Sequence, residues 1–287
     1  MEDETTFKSS NFSLSGVLHL PKGQASKKLP CIMVLHGFGS NKESGNVKGP
    51  CKMLNDWGYA AFRFDMRGCG TSEGDFGRVI CQEQVDDTRA AMDYLQTRSE
   101  IDPCRVGVLG SSFGAAVAIY TGGIDKRFAC VISSGGWGHG ERKFRGQHPS
   151  KKAWLSFTSM LEESRRHREN TGVSMMVDRY DIVPVPKHLR NNLSKHSITS
   201  FPAEVAQSMY NFTAEDVVAD ISPRPLLLLH SSNDSVTPTE QSISLFQKAG
   251  MPCDLHLFAE TDHFMFAEDN IRVREIVKTW LNKFFPV

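Results

Sequence analysis

The stretch Arg105-Val-Gly-Val-Leu-Gly-Ser-Ser-Phe-Gly-Ala-Ala-Val-Ala-Ile-Tyr120 holds two kinds of structure with no room between them. Val106 to Leu109 is a short apolar run, the pattern of a buried strand. Ala115 to Tyr120 is small and apolar, suited to a helix packed closely on a sheet. The join, Gly110-Ser111-Ser112-Phe113-Gly114, must therefore be a very sharp turn. A residue on such a turn sits in a strained backbone conformation, and glycines two places to either side relieve the crowding. Ser112 is that central residue. Its hydroxyl is predicted to stand above the strand end, where the first amides of the new helix also point. Ser111 is off register and points elsewhere.

Other unbroken apolar runs share the first half of this pattern: Cys31 to His36, Tyr59 to Asp65, Phe128 to Ile132 and Pro225 to His230, with Leu255 to Ala259 weaker. Runs of this length bounded by Gly, Pro or Asp read as strands buried on both faces of a parallel sheet. Phe12 to Leu20 instead alternates, with Phe12, Leu14, Leu18 and Leu20 on one side, as an antiparallel strand does. Helical spacing recurs over Gln82–Arg98, Thr239–Ala249 and Glu268–Phe285. Strand and helix in alternation predict an α/β fold, a mostly parallel twisted sheet with helices on both faces.

One segment, residues 137–219, breaks the rhythm. It has no strand-like run, and a structureless loop of that length is implausible. It reads as a mostly helical insert between a core made of residues 1–136 and 220–287. From His139 to Ser197 there are twelve Lys and Arg against six Asp and Glu, and half of the ten histidines. A basic excess of this kind is ordinarily a solvated surface, and the sharper reading is that one or two arginines attract an anionic substrate. The insert also brings Trp137, Trp154, Phe157, Met160, Met175, Met176, Tyr180 and Phe201. Some of these are expected to form an apolar pocket over Ser112, and most to form the insert's own core.

The whole chain of 287 residues carries 33 basic and 33 acidic side chains, which gives no electrostatic reason to expect nucleic acid or an anionic membrane as partner. No apolar stretch approaches the roughly 20 residues that span a bilayer. The seven cysteines are odd in number and form no C-x-x-C pair, so they read as free thiols in a reducing compartment. The opening Met1-Glu-Asp-Glu-Thr-Thr6 is acidic and polar, unlike a secretory signal, and a cytoplasmic location is expected. No H-E-x-x-H or similar metal signature occurs. Oligomeric state is not readable.

A serine hydroxyl becomes a nucleophile only beside a base. Three late histidines qualify by position. His230 ends an apolar run, His256 lies within the last strand, and His263 falls in the loop between that strand and the last helix, from which it can reach over the sheet. His263 is favoured. The base in turn needs a carboxylate to fix its tautomer. Asp234 follows the leucine-rich run Pro225 to His230, at the carboxyl end of that strand, although a turn or capping role suits it too. Asp262 adjoins His263, but a neighbour in sequence rarely faces the ring. Asp234 ranks first.

The order Ser112, Asp234, His263 is that of the α/β-hydrolase fold, and the sequence resembles that superfamily from about Phe12 to its end, the insert excepted. Within it, His36-Gly-Phe-Gly-Ser-Asn-Lys42, Asn233-Asp-Ser-Val-Thr-Pro238 and Thr261-Asp-His-Phe264 are similar to the cinnamoyl/feruloyl esterase-like and dienelactone-hydrolase-like branches. A serine nucleophile departs from typical dienelactone hydrolases, which use cysteine. The resemblance implies an oxyanion hole made by the backbone N–H groups of Phe38 and Phe113, a structural role for the loop Asp65–Gly74, and a cap at the position of the insert. It implies a serine hydrolase of a small or medium carboxylic ester, with no metal or organic cofactor. Amide, thioester and carbon–carbon bond hydrolases share the same three residues, and some proteins of this fold only bind ligands.

Overall fold

The computed structural model describes residues 1–23, 28–266 and 270–287. The chain opens with a hairpin, β1 (Glu2–Ser9) and β2 (Phe12–His19), and then alternates. β3 (Leu29–Leu35), α1 (Gly45–Asp56), β4 (Ala60–Phe64), α2 (Cys81–Thr97), β5 (Ile101–Ser111), α3 (Phe113–Ile124) and β6 (Phe128–Ser134) follow. The insert holds α4 (Gly140–Gln147), α5 (Lys151–Thr171), β7 (Met176–Asp178), α6 (Arg179–Ile182), β8 (Ser200–Pro202) and α7 (Glu204–Asn211), with short 3-10 turns between. β9 (Leu226–Ser231), α8 (Glu240–Lys248), β10 (Cys253–Phe258) and α9 (Ile271–Phe284) complete the core. The start predicted for the last helix, Glu268, lies outside the described residues.

Eight strands form one sheet in the order β1-β2-β4-β3-β5-β6-β9-β10. β1 and β2 are antiparallel, and from β4 to β10 every neighbouring pair is parallel. This is the α/β-hydrolase architecture. Period-two alternation along the buried strands sorts the core onto two faces. Cys31, Met33, Leu226 and Leu228 pack on one face, while Ile32, Val34, Leu227 and Leu229 pack on the other. An apolar run is therefore required in these strands, because both faces are covered by helices.

Four elements differ from expectation. β1 was not expected, because its residues read as a charged start. It is an edge strand that buries Phe7 and Ser9 and leaves Glu2, Glu4 and Thr6 outward, as edge strands commonly do. α1 was also unmarked, since Gly45, Gly49 and Pro50 lie within it and interrupt helical patterning. Ser44 caps it by accepting from the amide of Asn46. Inside the insert, β7 and β8 pair antiparallel over three residues each, too short for alternation to be visible.

Candidate active site

β5 ends at Ser111, α3 begins at Phe113, and Ser112 between them has φ 55° and ψ −114°. That left-handed φ is uncommon for a residue with a side chain and marks local strain. The flanking glycines are dictated by backbone. A Cβ on Gly110 would lie 2.0 Å from the carbonyl oxygen of Gly114, and one on Gly114 would lie 2.6 Å from that of His36. The turn thus presses the start of α3 against the loop after β3, and the two backbones flank Ser112 together.

The structure brings the three predicted side chains into one hydrogen-bonded chain. The Ser112 Oγ is 2.8 Å from His263 Nε2, and His263 Nδ1 is 2.8 Å from Asp234 Oδ2. With Nδ1 donating to the carboxylate, Nε2 is left to accept the serine proton. Gly135, at φ 64°, faces the ring: a Cβ there would stand 3.3 Å from His263 Nδ1. Asp234 Oδ1 accepts from the amides of Val236 and Thr237 at 2.8 and 2.7 Å. Burial pushes the Asp234 carboxyl up, but His263 and His230 outweigh it and hold the group well below the usual carboxylate range.

The other candidates fall elsewhere. Asp262 accepts from its neighbour's backbone amide, and from the Ser235 amide and hydroxyl at 2.9 and 2.8 Å, so it braces the Asp234 loop. His256 lies within β10, in register with Leu229. His230 is buried and meets Asp234 directly, with Nε2 3.3 Å from Oδ2. Its Nε2 also donates to the Thr237 carbonyl at 3.0 Å, and its Nδ1 accepts from the Ser242 hydroxyl at 2.6 Å. The spacing of His230 four residues before Asp234 was the available sign of this contact.

The loop after β3 is tied down on the other side. His36 Nε2 accepts from the Met66 amide at 3.2 Å while Nδ1 donates to the Gly37 carbonyl at 2.9 Å. Asp65 receives the Lys42 amide at 2.6 Å, the Lys42 ammonium at 2.8 Å and the Thr71 amide at 2.9 Å. Gly70 leaves room for that carboxylate, which a Cβ would meet at 2.2 Å. Phe113 is the first residue of α3, where amides have no acceptor within the helix. Gly37 and Phe38 border the same cleft as Ser112.

That cleft is narrow, with a cavity volume of about 50 Å³. Its far wall comes from the insert, through Arg179, Val183, Val185, Asn192 and Leu193. This corrects the expectation for the insert's large side chains, since none of the eight aromatic and Met residues singled out lines it. Phe157 and Tyr210 each stack on Phe144, with Trp154 beside them, forming the insert's core. Phe201 stacks on Phe38 at 4.3 Å, and Trp137 packs against Phe113 at 5.7 Å. Small aliphatic residues near Pro184 and Pro186 gave no periodic signal. Among the described residues no group of His, Cys, Asp and Glu is placed to hold a metal, and no helix is long and apolar enough to cross a membrane.

The model of a hydrolase family described as serine aminopeptidase, S33, matches residues 26–270. The acyltransferase drtE of Aspergillus calidoustus is 25% identical over 281 residues, covering 92% of this chain and 89% of that protein. The α/β hydrolase GrgF from Penicillium sp. sh18 superposes with a TM-score of 0.82 at 17% identity, over 100% of both chains. Est1E from Butyrivibrio proteoclasticus, solved with ferulic acid bound, gives a TM-score of 0.69 at 18% identity, over 97% of this chain and 100% of that one.

Proposed function

We propose that this chain, which belongs to the serine aminopeptidase S33 family of α/β hydrolases, cleaves a small or medium carboxylic ester through an acyl-enzyme on Ser112. The observation that carries the reading is the unbroken Ser112–His263–Asp234 chain, with both links at 2.8 Å and the serine held at φ 55°. Ser112 Oγ attacks the carbonyl carbon as His263 Nε2 takes its proton. Asp234 remains ionised and steadies the imidazolium. The tetrahedral oxyanion is received by the backbone N–H groups of Phe38 and Phe113, and losing one such donor typically costs about 3 kcal/mol of transition-state stabilisation. Collapse expels the alkoxide, which His263 protonates. Water then attacks the ester on Ser112, His263 again acting as base.

Residues 137–219 are read as a cap, supported by the five insert residues that wall the cleft opposite Ser112. The partner is a small-molecule substrate. A second reading has support from the acyltransferase related over most of the chain: the same acyl-enzyme could pass its acyl group to an alcohol or thiol in place of water. Product analysis with added acceptors separates the two.

The test is labelling with a fluorophosphonate, read by intact mass, beside Ser112→Ala and Ser111→Ala. Labelling of wild type and Ser111→Ala with loss in Ser112→Ala is the expected result, together with p-nitrophenyl ester turnover that follows the same pattern. An unlabelled wild type that turns over no ester would sink the reading in favour of a ligand-binding protein.

A further inference from the structure

Arg179 opens α6 in the insert, yet its side chain runs back to the core. One terminal nitrogen donates to the Phe38 carbonyl at 2.6 Å and the other to the Ile198 carbonyl at 2.9 Å. The guanidinium lies 5.2 Å from the centre of the Phe38 ring. Gly39, at φ 53°, makes room for it, since a Cβ there would sit 2.9 Å from the Arg179 Nη1. The residue is only 4% exposed.

Two features set it apart from the other buried arginines. Arg63 pairs with Glu43 and Arg67 with Asp87, but Arg179 has no carboxylate partner among the described residues. Its Nε is also buried with no hydrogen-bond partner. The exposed arginines of the insert do not share this state: Arg165, Arg166 and Arg168 pair with Glu169, Glu162 and Glu204, as a solvated surface does. Burial pushes the Arg179 guanidinium down to about 10, which still leaves it charged at neutral pH. A buried, charged, unpaired group is costly to hold, and this one borders the cleft that contains Ser112 and His263.

We propose that Arg179 is an anion subsite of the cleft, and that the ester hydrolysed on Ser112 carries a free carboxylate which takes the Nε–H of Arg179. The inference rests on the hydrolase reading above and adds the substrate class. One cation suits the single charge of a carboxylate. A dianionic phosphate would leave a charge unmatched there. The two carbonyl contacts of Arg179 hold the guanidinium in place before the ligand arrives, which reduces the entropy lost on binding.

The experiment compares mono-p-nitrophenyl adipate with p-nitrophenyl hexanoate, which match in length and differ in the terminal carboxylate. Wild type, Arg179→Gln and Arg179→Lys are measured, with adipate binding followed by calorimetry on the same proteins. Wild type is expected to prefer the adipate ester in kcat/KM. Arg179→Gln should lower that preference by about 10- to 100-fold, the worth of one hydrogen bond to a charged group, and Arg179→Lys should restore part of it. Loss of the Phe38 contact slows both esters and cancels in the ratio. A wild type without preference for the adipate ester overturns the proposal with no need of a variant, as does an Arg179→Gln protein whose ratio and adipate affinity match wild type. If wild type hydrolyses neither ester but binds adipate through Arg179, the hydrolase reading falls and the subsite stands. Turnover of both esters with an unchanged ratio does the reverse.

Discussion

His230 Nε2 lies 3.3 Å from the Oδ2 of Asp234, the same oxygen that His263 Nδ1 meets at 2.8 Å. One carboxylate oxygen is thus held between two imidazoles, and its partner oxygen by two backbone amides. His230 is not among the residues that line the cleft, so its influence runs through the carboxylate. Replacing it with Phe keeps a ring in the buried site and removes the polar contact with Asp234. We expect kcat to fall about 10-fold, by the worth of a weak bond to a charged acceptor, with KM unchanged. Asp234→Asn should fall further, by about 10⁴. Steady-state kinetics on a p-nitrophenyl ester decides it, and a rise in KM alone would argue against a positioning role.

The close approach of Gly114 to the loop after β3 makes a sharper structural prediction. A methyl at Gly114 would meet the His36 and Leu35 carbonyl oxygens at 2.6 and 2.7 Å, backbone against backbone, with no side chain free to give way. Gly37 sits on the other side of the same contact, but a methyl there would meet Ser111 and Ser112 at 3.7 Å, ordinary van der Waals distance. Gly114→Ala is expected to cost more than about 4 kcal/mol or to prevent folding. Gly37→Ala should change stability by no more than about 1 kcal/mol. Urea denaturation of the two purified variants tests the contrast.

Much of this arrangement was legible because the residues involved are constrained locally. Gly110 and Gly114 mark a turn that admits no Cβ, and runs such as Leu226 to Leu229 mark strands covered on both faces. Asp234 and His263 are each the chemically apt residue in a loop at a strand's carboxyl end, so chain order alone groups them with Ser112. What was illegible depends on contacts far apart in sequence. Arg179 is one of twelve basic residues in its segment, and only the fold carries it 141 positions back to the Phe38 carbonyl. Val183, Val185 and Leu193 wall the cleft from irregular backbone, where no period exists to read. β1 hides because an edge strand needs few apolar residues.

The loop Asp65–Gly74 is anchored to the core by a buried ion pair whose loss should be felt. Arg67 donates to Asp87 through Nε at 2.8 Å, Nη2 at 2.6 Å and its backbone amide at 2.8 Å, and the Ser9 hydroxyl donates to the same carboxylate at 2.7 Å. Removing only the carboxylate, in Asp87→Ala, leaves a buried guanidinium unpaired and should cost about 3–5 kcal/mol. Replacing both, as Arg67→Met with Asp87→Leu, should recover a large part of that loss. Denaturant melts of the single and double variants give the coupling. A double variant as unstable as the sum of its parts would mean that packing, not charge, is what the pair supplies.

Lys143 gives the protein a pH dependence of predictable sign. Its ammonium is buried with no hydrogen-bond partner, 4.0 Å from the Phe144 ring centre and 4.6 Å from that of Trp137. Burial pushes the amine from its ordinary 10.5 down to about 7, outweighing a smaller upward pull from Cys81. Between those values the unfolded chain binds a proton that the folded chain does not, so stability rises with pH across this window. Below about 7 both states are protonated and the cost of the buried charge is felt in full. Buried thiols act in the opposite sense above about 9, Cys51 being pushed up from 9.0 to about 12, so the clean interval is about pH 7 to 8.5. Lys143→Met keeps the stem and removes the amine. It should be more stable than wild type at pH 7 by about 1–3 kcal/mol, and the difference should shrink as pH rises to about 8.5. Denaturant midpoints for both proteins at about pH 6.5, 7.5 and 8.5 test this. A constant difference across the series would show that Lys143 does not change its protonation there on unfolding.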